Sequence, residues 1–114
     1  MIGVKAVKWC WAAAVSGILG CAAPALAAGS GSGFIVGVNS ELGNGKFQTN
    51  GGHPNAPACA TTGRWAVDVT TPAGQAMWST VLTAYSQNRP VTVGGTGQCN
   101  VWGDSETVQW VQLP

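Results

Sequence analysis

Beyond residue 33 the hydrophobic positions mostly alternate with polar ones, a period of two, and switch once to a spacing of three and four. Phe34-Ile35-Val36-Gly37-Val38 is β-branched and apolar and predicts a strand. Leu42-Gly43-Asn44-Gly45 contains Asn-Gly, the strongest short hairpin signal, so Lys46-Phe47-Gln48-Thr49 is expected to return as a second strand. Arg64 to Val69 alternates cleanly: Trp65, Val67 and Val69 share a core face, and Arg64, Ala66 and Asp68 share a wet one. An Arg64–Asp68 pair on that wet face accounts for both charges. Thr71 can cap a helix, Pro72 suits its first turn, and Asn88 and Pro90 stop it near Gln87. The helix carries an apolar stripe of Ala73, Met77, Val81, Leu82, Ala84 and Tyr85, which reads as core, with Trp78 flanking it at an edge or subunit contact.

Three extended runs follow the helix. Pro90 to Gly94 places Val91 and Val93 inward. Gly97 to Trp102 places Cys99 and Val101 on one face and Gln98, Asn100 and Trp102 on the other. Glu106 to Leu113 alternates less cleanly, with Val108 and Trp110 opposite Val111 and Leu113, as a strand does when both its faces are covered or when it changes faces at a bulge. Between the second and third strands, Asn50 to Gly63 is rich in glycine and proline and reads as a loop. The order is read as β-β-β-α-β-β, mainly β with one helix. That is the order of an OB-fold, a five-stranded barrel whose closure removes most open edges.

The start of the chain has a different character. Lys5 and Lys8 precede an apolar run from Trp9 to Leu19, Pro24 breaks it, and Ala25-Leu26-Ala27 provides the small residues of a signal-peptidase site. The run falls short of the about 20 apolar residues that a membrane-spanning helix needs. Residues 1–27 therefore read as an export signal, and 28–114 as a single small domain, secreted or periplasmic. The competing route is lipidation at Cys21 of Ile18-Leu19-Gly20-Cys21, which would tether the domain as a lipoprotein.

Removing the leader changes the chemistry that remains. Over the whole chain the formal charge is +1; residues 28–114 hold Lys46, Arg64 and Arg89 against Glu41, Asp68, Asp104 and Glu106, a formal −1 with His53 neutral. Such a body has no electrostatic footprint for nucleic acid or an anionic membrane, and three basic residues do not line a groove for single strands. Of four cysteines, Cys59 and Cys99 remain. In an oxidising compartment they are expected to pair, the alternative being two separate buried thiols. The bridge would close a loop of about 40 residues, worth about 4 kcal/mol if chain entropy dominates.

From Cys59 onward the motifs Cys59-x4-Arg64-Trp65-Ala66-Val67-Asp68, Thr71-Pro72-Ala73-Gly74-Gln75-Ala76-Met77 and Val91-x-Val93-x-Gly95-x-Gly97-x-Cys99-x-Val101-Trp102-x-Asp104-x-Glu106-Thr107-Val108 resemble small exported bacterial proteins. These are similar in turn to the B subunits of AB5 toxins of the subtilase-cytotoxin type. The resemblance covers roughly the last half of the chain. It implies an OB-fold, a pentameric homo-oligomer, binding of sialylated glycans and a separate toxic subunit. The glycan-binding residues of those subunits fall in the earlier half and map onto no position here.

The candidate ligand-binding residues are Trp102, Gln98, Asn100, Asp104 and Glu106. An exposed indole beside amides and carboxylates suits sugars, whose C–H faces stack on the ring while their hydroxyls bond the polar groups. The competing reading is a polar turn with Trp102 closing the barrel end. Asp104 and Glu106, two apart on a turn, do not set the carboxylate separation that glycoside hydrolysis requires. His53 reads as a solvent-exposed loop residue. No nucleophile–base spacing, phosphate-cradling loop or metal motif is present, so neither catalysis nor a cofactor is expected. The expectation is an exported, non-enzymatic binding module for a cell-surface glycan. The alternative is an envelope protein or inhibitor that acts on another exported protein.

Overall fold

The computed structural model of the protein describes residues 28–114. The expected leader, with cleavage after Ala27 or lipidation at Cys21, lies outside the described residues.

Strand β1 (Ser30–Glu41) leads into β2 (Asn44–Thr49), then β3 (Trp65–Asp68), helix α1 (Pro72–Gln87), β4 (Pro90–Gly95) and β5 (Glu106–Gln112). The strands form a mainly β body in which the sheet closes on itself in the order β1-β2-β3-β5-β4. All pairings are antiparallel except β3 with β5, which is parallel and only two register pairs long, Trp65↔Glu106 and Ala66↔Thr107. β1 serves two neighbours: Ser30 to Phe34 pair with β4, and Ile35 to Glu41 with β2. Val36 is the extra residue where the register shifts. A bulge there bends the strand from one partner to the next.

The hairpin forms where expected, but on different residues. Glu41 pairs with Asn44, so the two-residue turn is Leu42-Gly43, with both residues in the left-handed region (φ 50° and 81°). Asn44 and Gly45 belong to β2. Gly45 lies beneath Trp78, whose ring a Cβ there would approach to 2.6 Å. The Asn-Gly pair is thus used for close approach to the helix and not for the turn.

Helix α1 keeps its expected bounds. Thr71 accepts from the N–H of Gly74 at 3.0 Å, and Asn88 adopts the left-handed conformation that ends the helix. Its buried face is rotated from expectation. Gly74, Val81 and Ala84 are buried, Met77 and Trp78 pack against the core, and Ala73, Leu82 and Tyr85 are exposed. Gly74 sets this rotation, because it brings the helix onto the carbonyl of Asp68, 1.6 Å from where a Cβ would stand.

The core consists of Ile35, Phe47, Trp65, Val67, Val81, Ala84, Val91, Val93 and Val108. The face switch in the last strand occurs at Gln109, the extra residue between the pairs Gly95↔Val108 and Gly94↔Trp110. Val108 therefore points inward and Trp110 outward. The alternation expected of β3 does not hold for Ala66, which is fully buried. Ala66 sits between Lys46 and Thr107 in the outer row, and the segment after β4 contacts both of these neighbours. That segment, Gly97 to Trp102, is not the expected strand. It is a loop holding one isolated bridge, Trp102↔Ser105, so two strands follow the helix instead of three extended runs. Among the described residues no helix is long and apolar enough to cross a membrane.

Candidate functional site

The loops at 50–63 and 96–105 are joined by the Cys59–Cys99 disulfide. The pairing expected from the cysteine count is present, and it points to an oxidising compartment. The bridge lies nearer the surface than an inward-facing Cys99 implied: Cys59 is exposed and Cys99 half-buried. It ties the two longest connections to each other and holds the surface on which the candidate residues lie.

The five candidates are divided by this arrangement. Glu106 is fully buried. One carboxylate oxygen, Oε2, accepts from the N–H groups of Gly29 at 2.9 Å and Gly97 at 2.7 Å; the other, Oε1, lies 2.7 Å from Nε2 of His53. Glu106 thus leaves the ligand surface and becomes an internal tie between Gly29 just before β1, the 50–63 loop and the 96–105 loop. Burying a carboxylate is costly without partners, and the three donors supply them. They also explain why Gly97 starts a loop: its N–H turns inward to the carboxylate instead of joining a ladder.

His53 is the partner that the sequence did not reveal. Its ring stacks on Trp65 at 3.7 Å between centroids and its side chain is only 5% exposed, which corrects the exposed-loop expectation. His53 Nδ1 and Trp65 Nε1 are both buried without a hydrogen-bond partner.

Asp104 takes the role expected of Asp68. Arg64 donates from Nη2 to both carboxylate oxygens of Asp104, at 3.3 and 3.4 Å, and Ser105 donates to Oδ1 at 2.9 Å. Along a strand, residues four apart stand roughly 13 Å from each other, too far for an ion pair. Asp68 instead accepts from the hydroxyl and N–H of Thr70, and these two hydrogen bonds hold its carboxyl below the usual carboxylate range.

Trp102 is half-buried, and one face of its ring is covered by the Lys46 ammonium, 3.7 Å from the centroid. Lys46 is almost wholly buried, and its charge is met by Asn44 Oδ1 at 3.1 Å and Glu41 at 3.6 Å. Asn100 is tied from its loop to β5, since its Oδ1 accepts from Thr107 Oγ1 at 2.6 Å. Gln98 is exposed; its carbonyl accepts from the N–H of Thr107 at 2.8 Å and its side chain faces water. Beside this cluster a shallow cleft of about 180 Å³ is lined by Asn39, Lys46, Gln48 and Arg64, among others. The site is therefore a surface of two cations, each paired with a carboxylate, exposed amides and one half-buried indole. Asp104 lies on it and Glu106 faces the interior, so the two do not address a common substrate position. Among the described residues no three His, Cys, Asp or Glu side chains stand close enough to hold a metal ion.

Compared with family models, with curated proteins and with solved structures, the chain matches none of the three.

Proposed function

We propose that this protein is an exported, non-enzymatic binding module that recognises cell-surface glycans in the manner of a toxin B subunit. Its scaffold is an OB-fold: a five-strand ring, with the helix between β3 and β4 and a parallel β3–β5 pairing, agrees with that topology. The observation that carries the reading is the cleft beside Trp102. Arg64, Asn39 and Gln48 line it together with Lys46, whose ammonium rests on the face of Trp102. A guanidinium and two amides suit a ligand that combines hydroxyls with a carboxylate, which is the chemistry of sialylated glycans. In this reading assembly is a ring of copies, pentameric as in the toxins.

The test is a glycan array probed with the protein purified after export, alongside Trp102→Ala and Arg64→Ala. Binding of wild type to sialylated glycans, weakened in both variants, is the expected result. Absence of binding to every glycan would remove the lectin reading. Recovery of an exported protein partner by periplasmic pull-down in its place would favour the interaction-protein alternative. Light scattering on the same sample gives the stoichiometry.

A further inference from the structure

A second aromatic surface lies on the outer wall of the ring, away from Trp102. Trp110 of β5 pairs with Gly94 of β4, which pairs with Ser30 of β1. A Cβ on Gly94 would stand 2.2 Å from Nε1, 2.3 Å from Cε2 and 2.7 Å from Cζ2 of the indole. The ring therefore lies flat on the bare backbone of Gly94. Trp110 remains 46% exposed, so its other face meets water. Two separate devices produce this placement: the glycine that makes room, and the bulge at Gln109 that turns Trp110 outward. Neither serves the core, which Val108 and Val111 reach from the same strand.

The surroundings of the indole are hydroxyl and amide. Ser32, Thr92 and Gln112 form the next register row and, two residues along each strand, share the outer face with Ser30, Gly94 and Trp110. Neither row contains a charged residue. Gln112 also lines a groove of about 440 Å³ between β5 and α1, together with Ser79, Thr80 and Thr83. That size lies within the roughly 300–1,000 Å³ typical of small-ligand sites. An open indole face leads, through one glutamine, into a groove lined by the hydroxyls of Ser79, Thr80 and Thr83 and by the apolar Val111 and Leu113.

We infer that this wall is a site for a neutral saccharide, one sugar ring stacked on Trp110 and the next reaching past Gln112 into the groove. Neither row supplies a cation for a sialyl carboxylate, which separates this site from the cleft that holds Lys46 and Arg64. The sugar's C–H face meets the indole, and its hydroxyls exchange hydrogen bonds with the serine, threonine and glutamine side chains. The inference rests on the glycan-binding reading but does not depend on its cleft.

Titrating lactose, chitotriose and 3′-sialyllactose into the exported protein, followed by the indole N–H resonances, tests it. A neutral sugar is expected to shift the Trp110 signal. Trp110→Ala should weaken that binding by at least about tenfold, Trp110→Phe should restore part of it, and Trp102→Ala should leave it intact. Trp110 is largely exposed, so its removal is expected to preserve the fold, and the remaining indole resonances report whether it does. If 3′-sialyllactose binds through Trp102 while no neutral sugar shifts Trp110, the inference fails and the cleft reading survives. A neutral sugar that binds Trp110→Ala as tightly as wild type also overturns the inference. Silence from all three sugars removes both.

Discussion

His53 and Glu106, 53 positions apart in sequence, meet at 2.7 Å inside the ring, where neither side chain has appreciable contact with water. This pair joins the 50–63 loop to β5, and through the second carboxylate oxygen to Gly29 and Gly97. Removing one member of a buried, hydrogen-bonded pair strands the other. His53→Ala, which also leaves a void against Trp65, is expected to cost about 3–5 kcal/mol in urea denaturation. Glu106→Gln keeps the shape and one acceptor oxygen and should cost less. A loss below about 1 kcal/mol in His53→Ala would show that the pair does not hold the loop.

The turn at Leu42 carries backbone strain that its side chain does not offset. Leu42 has φ 50° and is 85% exposed. Leu42→Asn would place a residue tolerant of the left-handed region before Gly43, forming the preferred Asn-Gly turn. Stability should rise by about 0.5–1 kcal/mol, seen as a higher melting temperature. A fall would mean that Leu42 makes contacts which its exposure does not suggest.

Two glycines should respond to alanine with opposite sign. At Gly74 helix propensity favours alanine by about 1 kcal/mol, but the new Cβ would lie 1.6 Å from the backbone oxygen of Asp68. The clash dominates because a backbone carbonyl cannot swing aside, and Gly74→Ala should destabilise by about 2–3 kcal/mol. At Gly37 a Cβ meets nothing within 4 Å, and Gly37→Ala should stabilise by about 0.5 kcal/mol. Chemical denaturation of both variants checks the pair, and equal effects would contradict the packing described for α1.

Asp68 gives the molecule a defined acid response. Its carboxyl is held low first by the Thr70 hydroxyl and then by the Thr70 N–H. A group whose folded pKa is depressed contributes stability above its unfolded pKa and loses it as pH falls through the folded value. Carboxyl NMR titration should therefore place Asp68 below the ordinary aspartate range, and Thr70→Ala should move it upward. An unchanged titration in Thr70→Ala would show that another group sets it.

The parts of the fold legible in sequence were those written in neighbouring residues. Thr71, Pro72 and Asn88 mark the helix because capping is local, and Val91 and Val93 mark a strand by simple alternation. The errors arose where a distant group competed with a local preference. Asn44-Gly45 is a strong turn signal, but Trp78 requires Gly45 as bare backbone, so the turn moved back by two residues. Gly97 to Trp102 alternates like a strand, yet Glu106 and the disulfide draw it into a loop. Of the candidate site, Trp102 and Asp104 stayed on the surface and Glu106 did not, since nothing near Glu106 in sequence announces His53. Arg64 and Lys46 were overlooked as site residues because their partners Asp104 and Trp102 come from a loop about 40 residues or more away.

The parallel joint between β3 and β5 is the shortest stitch in the ring, two register pairs against four or more at every other joint. A cylinder yields first along its shortest seam. Were this one to part, the ring would become an open five-strand ribbon with β3 and β5 as borders whose unpaired backbone could take up another strand. Glu106 stands at that seam, paired with Trp65 and bonded to three other segments, so the same buried carboxylate that is lost to ligand binding acts as the clasp that keeps the ribbon rolled.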